Sequence, residues 1–135
     1  MSVDSPNIHT LDRWAFDVRK VEKPWGHELW WALTDSYAGK ILHVAQGHKL
    51  SLQFHEHKDE SAYLVKGRVL LTKGPSEDEL ETVELSPGAT WRNVPGEVHT
   101  IEAVEDCEIL EVSTPELDDV VRLTDSYGRE GTSAP

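Results

Sequence analysis

The chain has 135 residues, of which 38% are hydrophobic and 28% are charged, and its formal net charge is −12. A chain of this length encloses one hydrophobic core, so we expect a single globular domain. Proteins that bind nucleic acids or anionic membranes generally need a basic surface, so the acidic balance argues against both functions.

Three features that the sequence lacks indicate the cellular compartment of the protein. Cys107 is the only cysteine, which excludes an intramolecular disulfide and a cysteine-based zinc site. Residues 1–6 have neither the basic nor the apolar segment of a signal peptide. No apolar run approaches the roughly 18 residues that a membrane span requires. We therefore expect a cytoplasmic protein with a reduced thiol.

The predicted organisation is one domain between two short extensions. Residues 1–20 are polar and mixed, and we predict an N-terminal arm or short helix that Trp14 and Phe16 pin to the body. Residues 21–129 form the predicted domain. Residues 130–135 have nothing to bury and are predicted to be a disordered tail.

Beyond the arm, short strands alternate with turns in chain order. The predicted strands are residues 41–45, 50–57, 62–65, 68–72, 80–85, 90–94, 98–104 and 108–112. Turns are predicted at Lys73-Gly74-Pro75-Ser76 and Ser86-Pro87-Gly88, and residues 116–123 fit either a short helix or a final strand. Strands of about five residues separated by such turns are typical of a β-sandwich or closed barrel, so we predict an all-β fold.

Metal-binding side chains are concentrated near one of these strands. Alternation along the strand places Gln53, His55 and His57 on one face. Glu60 follows where this strand turns into the next, and His99 lies near the start of a later strand. Imidazole and carboxylate groups together suit zinc, iron, manganese, cobalt or nickel. The alternative is that histidines two residues apart simply form a polar strand face.

The spacing of these residues resembles the first sequence motif of the cupin superfamily. That motif is a glycine, five residues, His-x-His, three or four residues, a glutamate, six residues and a glycine. The chain matches every interval at Gly47, Gln53-Phe54-His55, Glu60 and Gly67, with Gln53 in the place of the first histidine.

The second cupin motif is also present. It is a glycine, five residues, Pro-x-Gly, two residues and a histidine, and the chain has these intervals at Gly88, Val94-Pro95-Gly96 and His99. Val94 stands in the place of the proline, and Ala103 stands where an asparagine often closes the motif. The two motifs imply the cupin double-stranded β-helix, a jelly-roll barrel with short N- and C-terminal extensions.

A cupin fold implies one divalent metal ion, held here by Gln53, His55, Glu60 and His99. Zinc is the first expectation, and manganese, iron, cobalt and nickel also suit the donor set. His57 is the alternative to Gln53 as a ligand, but only Gln53 satisfies both flanking intervals of the motif.

A glutamine in the first ligand position resembles the mannose-6-phosphate isomerases, in particular the C-terminal cupin domain of the type II enzymes. Other stretches that resemble theirs are Lys23-Pro24-Trp25-Gly26, Leu50-Ser51-Leu52-Gln53-Phe54-His55, and Asp119-Val120-Val121-Arg122 followed by Asp125, Tyr127, Gly128 and Arg129. The resemblance runs from about residue 21 to residue 129.

This resemblance implies a metal-dependent isomerase that interconverts an aldose and a ketose, as sugar or sugar phosphate, through a metal-stabilised cis-enediolate. Lys58 is the candidate base near C1 and C2, and His57 is the alternative. Lys40 and Arg122 match a lysine and an arginine of the family and are candidates for binding the substrate. Thr100 stands where the isomerases usually have an arginine.

Two other functions fit the same motifs. One is an iron dioxygenase, because redox metals suit imidazole-rich ligand sets. The other is a sugar-binding cupin without catalysis, which Thr100 in the place of arginine motivates. As partners we expect a small-molecule substrate and a second copy of the chain. Trp25, Trp30 and Trp31 exceed what a small core needs, and they lie either in a dimer interface or over the end of the barrel.

Overall fold

A computed structural model of the chain describes residues 17–129. The predicted contacts of Trp14 and Phe16 and the predicted tail at 130–135 lie outside these residues. Residues 17–129 contain β-strands and no helix, so no helix in this range is available to cross a membrane. The strands are β1 (Arg19–Lys23), β2 (Gly26–Leu33), β3 (Ala38–Val44), β4 (Leu52–Phe54), β5 (Glu60–Lys66), β6 (Val69–Ser76), β7 (Glu79–Leu85), β8 (Thr90–Asn93), β9 (Val98–Ala103), β10 (Cys107–Ser113) and β11 (Val121–Thr124).

The strands form two antiparallel sheets. One has six strands in the order β1-β2-β3-β10-β5-β8, and the other has five in the order β11-β4-β9-β6-β7. Neighbours such as β3 and β10 are far apart in the sequence, so the chain crosses repeatedly from one sheet to the other. This jelly-roll arrangement confirms the predicted all-β cupin fold.

The hydrophobic core lies between the sheets and fills one end of the barrel. Leu42 and Ile109 of the six-stranded sheet are cross-strand partners and pack with Ile101 of the five-stranded sheet. The next inward positions on the same two strands are Lys40 and Glu111, which are also partners and are also buried. The other end of the barrel therefore holds buried charges instead of apolar side chains.

The first two strands, β1 and β2, were not predicted from the sequence. They form a hairpin around Pro24 and Trp25, and β2 pairs with β3 at the edge of the larger sheet. Trp25 and Trp30 are buried, with 3% and 8% of their surfaces exposed, whereas Trp31 is 39% exposed. Two of the three tryptophans considered for a dimer interface therefore belong to the interior.

The turn predicted at residues 73–76 is wrong. Strand β6 continues to Ser76, and the hairpin turn falls at residues 77–78 before β7. The ladder has an irregularity between Lys73 and Ser76. At Gly74 the backbone passes so close to the carbonyl group of Glu79 that a Cβ atom would collide with it. Gly74 is thus required by close strand contact within the hairpin, and it does not reverse the chain.

Two other segments differ from the expected lengths. The strand predicted at 50–57 is reduced to β4, which ends at Phe54. Of the two alternatives for residues 116–123, the final strand is correct, since β11 pairs with β4 after an irregular stretch. This pairing brings the C-terminal segment beside the metal-binding motif.

Candidate metal site and the adjoining cavities

Three of the predicted metal ligands meet in the polar end of the barrel. His55 follows β4, Glu60 begins β5 and His99 lies in β9, and all three side chains are buried. One ligand atom from each lies within 4.8 Å of the other two. The two cupin motifs therefore bring a His-Glu-His group together, as their spacing predicts.

Backbone carbonyl groups orient both imidazoles. Nδ1 of His55 donates to the carbonyl oxygen of Asp119 at 2.6 Å, and Nδ1 of His99 donates to that of Glu97 at 3.0 Å. The proton on each ring is therefore on Nδ1, and the lone pair is on Nε2. The Nε2 atoms lie 3.3 and 3.6 Å from the carboxylate oxygens of Glu60. Both are buried without a hydrogen-bond partner, which is the arrangement that a bound cation would satisfy.

The charge state of the group also suits a metal. Burial raises the pKa of Glu60, but the contact with His55 and the ammonium of Lys58 outweigh it and hold this pKa well below its usual value. Burial lowers the pKa of His99. Asn93 Nδ2 donates to Glu60 Oε2 at 2.9 Å and fixes the carboxylate. An anionic carboxylate beside a neutral imidazole is what a divalent cation requires.

Gln53 lies beside this group. It is the cross-strand partner of His99, and the two side chains line the same cavity with Glu60. Its Oε1 accepts a hydrogen bond of 2.6 Å from the hydroxyl of the buried Ser51. A carbonyl oxygen has a second lone pair, so this bond leaves Gln53 able to act as the predicted fourth ligand.

His57 does not share the strand face of His55. After β4 ends, the chain turns, and the carboxylate of Asp119 accepts three successive backbone N–H groups, from Glu56 at 2.9 Å, His57 at 2.6 Å and Lys58 at 2.8 Å. This turn leaves the side chain of His57 exposed and directs Lys58 into the barrel. Alternation could not predict this outcome because it applies only within a strand.

Lys58 is held between two buried carboxylates. Its Nζ lies 3.2 Å from Oε1 of Glu60 and 3.7 Å from Oε1 of Glu111. Burial lowers the pKa of Lys58, but Glu111 and Glu60 raise it above its ordinary value. Without a metal ion, Lys58 is therefore an ammonium group rather than the free amine that a base requires.

Glu111 is a buried acid that sequence reasoning missed. Burial and the neighbouring Glu60 raise the pKa of Glu111 to about 7. The signal in the sequence was its position two residues after Ile109, where an inward-facing apolar side chain is expected. A charged residue at such a position indicates a polar interior.

Lys40 extends the row of buried charges. Its Nζ lies 3.4 Å from Glu28 Oε1 and 4.8 Å from the centre of the Trp30 ring. Trp30 Nε1 in turn donates to Glu28 at 2.9 Å. Lys40, a predicted substrate-binding residue, thus lies inside the barrel with both an anionic and an aromatic partner.

Two adjoining cavities open from the metal group. The first, of about 70 Å³, is lined by Gln53, Glu60, His99 and Glu111 among others. The second, of about 60 Å³, is lined by residues that include His55 and Arg122. Further side chains line both cavities, and these are Glu28, Lys40, Leu50, Ser51, Gln53 and Lys58. Both predicted substrate-binding residues, Lys40 and Arg122, therefore face the region of the metal group.

The second cavity is rich in cations. Lys23 and Arg129 line it together with Arg122. Burial lowers the pKa of Lys23, Glu28 opposes this effect in part, and the nearby cations add to it. Arg129 also binds the carboxylate of Asp125 at 2.8 Å. Cations held this close together provide a positive potential for an anionic group.

Thr100 lies in the first cavity, at the position where the isomerases usually carry arginine. Its hydroxyl donates to the carbonyl oxygen of Leu50 at 2.7 Å. This part of the cavity wall is therefore neutral.

The fold and the buried His-Glu-His group define the protein as a cupin. Among solved structures it is similar to KdgF from a Halomonas species, with a TM-score of 0.63, 24% identity, and coverage of 75% of this chain and 89% of that chain. It is also similar to oxalate decarboxylase from Bacillus subtilis, with a TM-score of 0.69, 19% identity, and coverage of 79% of this chain and 30% of that chain. These likenesses establish the fold.

Residues 12–125 match the family described as "Mannose-6-phosphate isomerase C-terminal", and the chain belongs to that family. It is 31% identical over 118 residues to the xanthan biosynthesis protein XanB of Xanthomonas campestris, covering 82% of this chain and 24% of that protein. It is 34% identical over 115 residues to mannose-1-phosphate guanylyltransferase of Escherichia coli, covering 82% of this chain and 23% of that protein. The chain spans about a quarter of the length of these relatives.

Proposed function

We propose that the protein is a divalent-metal-dependent isomerase that interconverts an aldose phosphate and a ketose phosphate. The observation that carries this proposal is the pair of buried imidazole Nε2 atoms without partners, which face Glu60 beside a cavity lined by cations. Membership of the isomerase C-terminal family supports the same reaction class.

The residues that would hold the metal are His55, Glu60, His99 and Gln53. When bound, a divalent cation polarises the substrate carbonyl and makes the neighbouring C–H proton more acidic. Zinc is the first expectation, and manganese, iron, cobalt and nickel also suit these donors. The backbone acceptors of both imidazoles and the Asn93 amide hold this donor set in place before any ligand arrives.

Lys58 is the proposed base that moves the proton between C1 and C2. Its ammonium is stabilised by Glu60 and Glu111. A cation held by Glu60 would offset part of the anionic charge beside Lys58 and would lower the pKa of the lysine. Glu111, whose pKa is raised to about 7 by burial, is placed to accept the proton that Lys58 releases. The exposed side chain of His57, the alternative base, lines neither cavity.

The phosphate group of the substrate would bind in the second cavity. Lys23, Arg122 and Arg129 line it, and Lys40 is shared with the first cavity. Because Thr100 leaves its part of the first cavity's wall neutral where the isomerases usually have arginine, the cations of the second cavity are the proposed partners of the anionic group.

The test is turnover by the metal-loaded protein. Protein with zinc, cobalt or manganese should interconvert mannose 6-phosphate and fructose 6-phosphate, and in deuterated water the product should carry deuterium at the carbon that exchanged its proton. Glu60→Gln should abolish this activity, and Glu102→Gln, on an exposed position of β9, should retain it. Absence of turnover across a panel of aldoses and their phosphates would contradict the proposal.

A sugar-binding protein without catalysis is the second candidate. The observation that favours it is the ammonium of Lys58, which two carboxylates hold in its charged form. Tight binding of a sugar phosphate that is unchanged in Lys58→Ala, together with no turnover by the wild type, would support this second function over the isomerase.

A further inference from the structure

Two histidines lie side by side on the outward face of the six-stranded sheet. His27 of β2 and His43 of β3 are cross-strand partners, and their rings stack with centroids 4.5 Å apart and planes at 23°. Each is followed or preceded by a buried residue, Glu28 on one strand and Leu42 on the other, so both rings point away from the barrel interior. The sheet itself therefore separates this pair from the His-Glu-His group.

Carboxylates flank the histidine pair along the same row of the sheet. Glu22 of β1 is the cross-strand partner of His27, and Glu108 of β10 is the partner of His43. Glu22 pairs with Lys20 at 3.3 Å, whereas the carboxylate of Glu108 has no ion pair or hydrogen bond within the described part of the chain. Residues directly opposite on antiparallel strands have Cβ atoms about 4.5–5.5 Å apart, so Glu108 is within reach of the His43 ring.

A third cavity, of about 330 Å³, lies against the pair. Both histidines and Glu108 line it, together with Asp106, Lys66 and others. None of its lining residues is shared with the two cavities that adjoin the His-Glu-His group. The third cavity is therefore a separate space, and two carboxylates and one ammonium group make its lining acidic on balance.

The position of the two rings favours their neutral form. If both were protonated, two cations would lie 4.5 Å apart on neighbouring strands. Burial, His43 and Lys20 lower the pKa of His27, and Glu22 opposes them in part. A neutral imidazole keeps a lone pair on one nitrogen, and among the described residues no group forms a hydrogen bond with either ring. Each histidine can therefore offer one nitrogen to a cation.

We propose that His27 and His43 form a second metal site, which binds zinc, nickel or copper(II) with Glu108 as the neighbouring carboxylate donor. Imidazole suits all three ions, and copper(II) should bind most tightly. Zinc–nitrogen bonds of about 2.0–2.1 Å place two tetrahedral ligand nitrogens about 3.3 Å apart, so the stacked rings need to tilt together by about 1 Å. Rotation of a half-exposed imidazole about its Cβ–Cγ bond has broad minima, so this tilt costs little.

A metal ion held by both rings would join β2 to β3. Among the described strands, β3 is the neighbour that connects the β1–β2 hairpin to the rest of the sheet. The same hairpin carries Lys23 and Trp25, which line the second cavity. Because a ligand that binds only the folded state stabilises that state, metal at this site would hold the hairpin in place.

The test is the number of zinc ions that the full chain binds, measured by isothermal titration calorimetry. His27→Gln and His43→Gln should each bind one ion fewer than the wild type, and Glu108→Gln should bind that ion more weakly. His57→Gln, at an exposed histidine outside both sites, should bind as many ions as the wild type. Glu60→Gln changes the His-Glu-His group, so Glu60→Gln/His43→Gln should show the sum of the two single losses. Circular dichroism should show that each variant is folded.

A second measurement uses the wild type alone. Diethyl pyrocarbonate modifies accessible imidazoles, and zinc should protect His27 and His43 from it while His57 stays reactive, as mass spectrometry of the digested protein shows. Zinc binding that is unchanged in both His27→Gln and His43→Gln overturns the proposal, as does equal reactivity of His27 and His43 with and without zinc. A loss of zinc in Glu60→Gln with none in His43→Gln overturns the second site and leaves the proposed function intact.

Discussion

Strand β10 of the six-stranded sheet and strand β9 of the five-stranded sheet differ in which side of the strand carries the charged residue. Near the site, the six-stranded sheet buries Glu111 and exposes its neighbours Leu110 and Val112. In strand β9 of the five-stranded sheet, the ordinary pattern is found at Ile101, which is buried, and at its neighbour Glu102, which is exposed. Inward and outward positions alternate in both strands, but the charged residue is inward in β10 and outward in β9.

The pattern in β10, with a buried acid between exposed apolar residues, is not what the stability of the fold alone would favour. A buried charge is costly unless it is paired, and a large exposed apolar patch is unusual on a single chain. A sheet that carries both is expected to use each face for something besides its own packing. In this protein the inner face of this sheet lines the metal group and the cavities.

The largest expected effect is on the inner side, at Glu60. Glu60→Gln removes the carboxylate of the His-Glu-His group, so the affinity for zinc or manganese should fall by more than the ~10–100-fold typical of an outer-shell change. Isothermal titration calorimetry, in which the metal is added to the metal-free protein, measures this affinity. Glu102→Gln removes a carboxylate from the exposed side of β9 and should leave the affinity unchanged. Equal losses in both variants would mean that charge, and not ligation, controls metal binding.

The next largest effect is on stability. Leu64 is fully buried in the core between the sheets, and Leu64→Ala should reduce the free energy of unfolding by about 2–5 kcal/mol because it leaves a cavity. Val83→Ala, at an exposed position, should change it by less than about 0.5 kcal/mol. Urea denaturation of the metal-free protein gives both values. A small loss in Leu64→Ala would show that the core is not packed as described.

A smaller effect, and one that depends on pH, is expected at Glu111. Burial raises the pKa of Glu111 from an ordinary 4.5 to about 7, so the folded protein binds more protons than the unfolded chain between these values. The contribution of Glu111 to stability is therefore lost as the pH rises from 4.5 to 7. Glu111→Gln does not titrate, and its stability relative to the wild type should increase across this window, by up to roughly 1.4 kcal/mol per pKa unit.

Urea denaturation of the metal-free protein at pH 4.5 and pH 8 measures the effect at Glu111. Glu108→Gln is the control, because Glu108 lies on the outward side of the same strand and is less buried. The free energy of unfolding of Glu108→Gln should differ from that of the wild type by the same amount at both pH values. A constant difference for Glu111→Gln as well would show that the buried acid does not hold its proton.

The smallest effect concerns the second cavity and depends on the proposed function. Lys23→Gln removes one of the cations that line this cavity and should weaken binding of a sugar phosphate about tenfold, or about 1.4 kcal/mol. Binding of the unphosphorylated sugar should not change. Lys49→Gln, at an exposed lysine, is the control. If Lys23→Gln weakened binding of the sugar phosphate and of the unphosphorylated sugar equally, the phosphate group would not bind in the second cavity.

The metal group was predictable because its residues lie in two motifs that resemble those of the cupins. His55 and Glu60 are separated by one short turn, and His99 is brought in by a second motif of fixed spacing. The intervals match those of the two cupin motifs, and this resemblance, rather than the spacing by itself, identified the group. The fold class followed from the same regular alternation of strands and turns.

The buried charges were not predictable because they depend on pairings between distant strands. Lys40 and Glu111 become partners only when β3 and β10 align, and Glu28 joins them only through β2. Along its own strand each of these residues resembles an ordinary polar position. Gly74 was misjudged for the same reason, since the approach of β7 to β6 is absent from the local sequence.

Asp119 has a consequence for the order of events during synthesis. Its carboxylate holds the turn after β4 and its carbonyl orients His55, which precedes it by 64 residues. A ribosome therefore releases both motifs well before it releases the residue that orients them. The ring of His55 therefore acquires its fixed orientation only after the segment that carries Asp119 has joined the barrel.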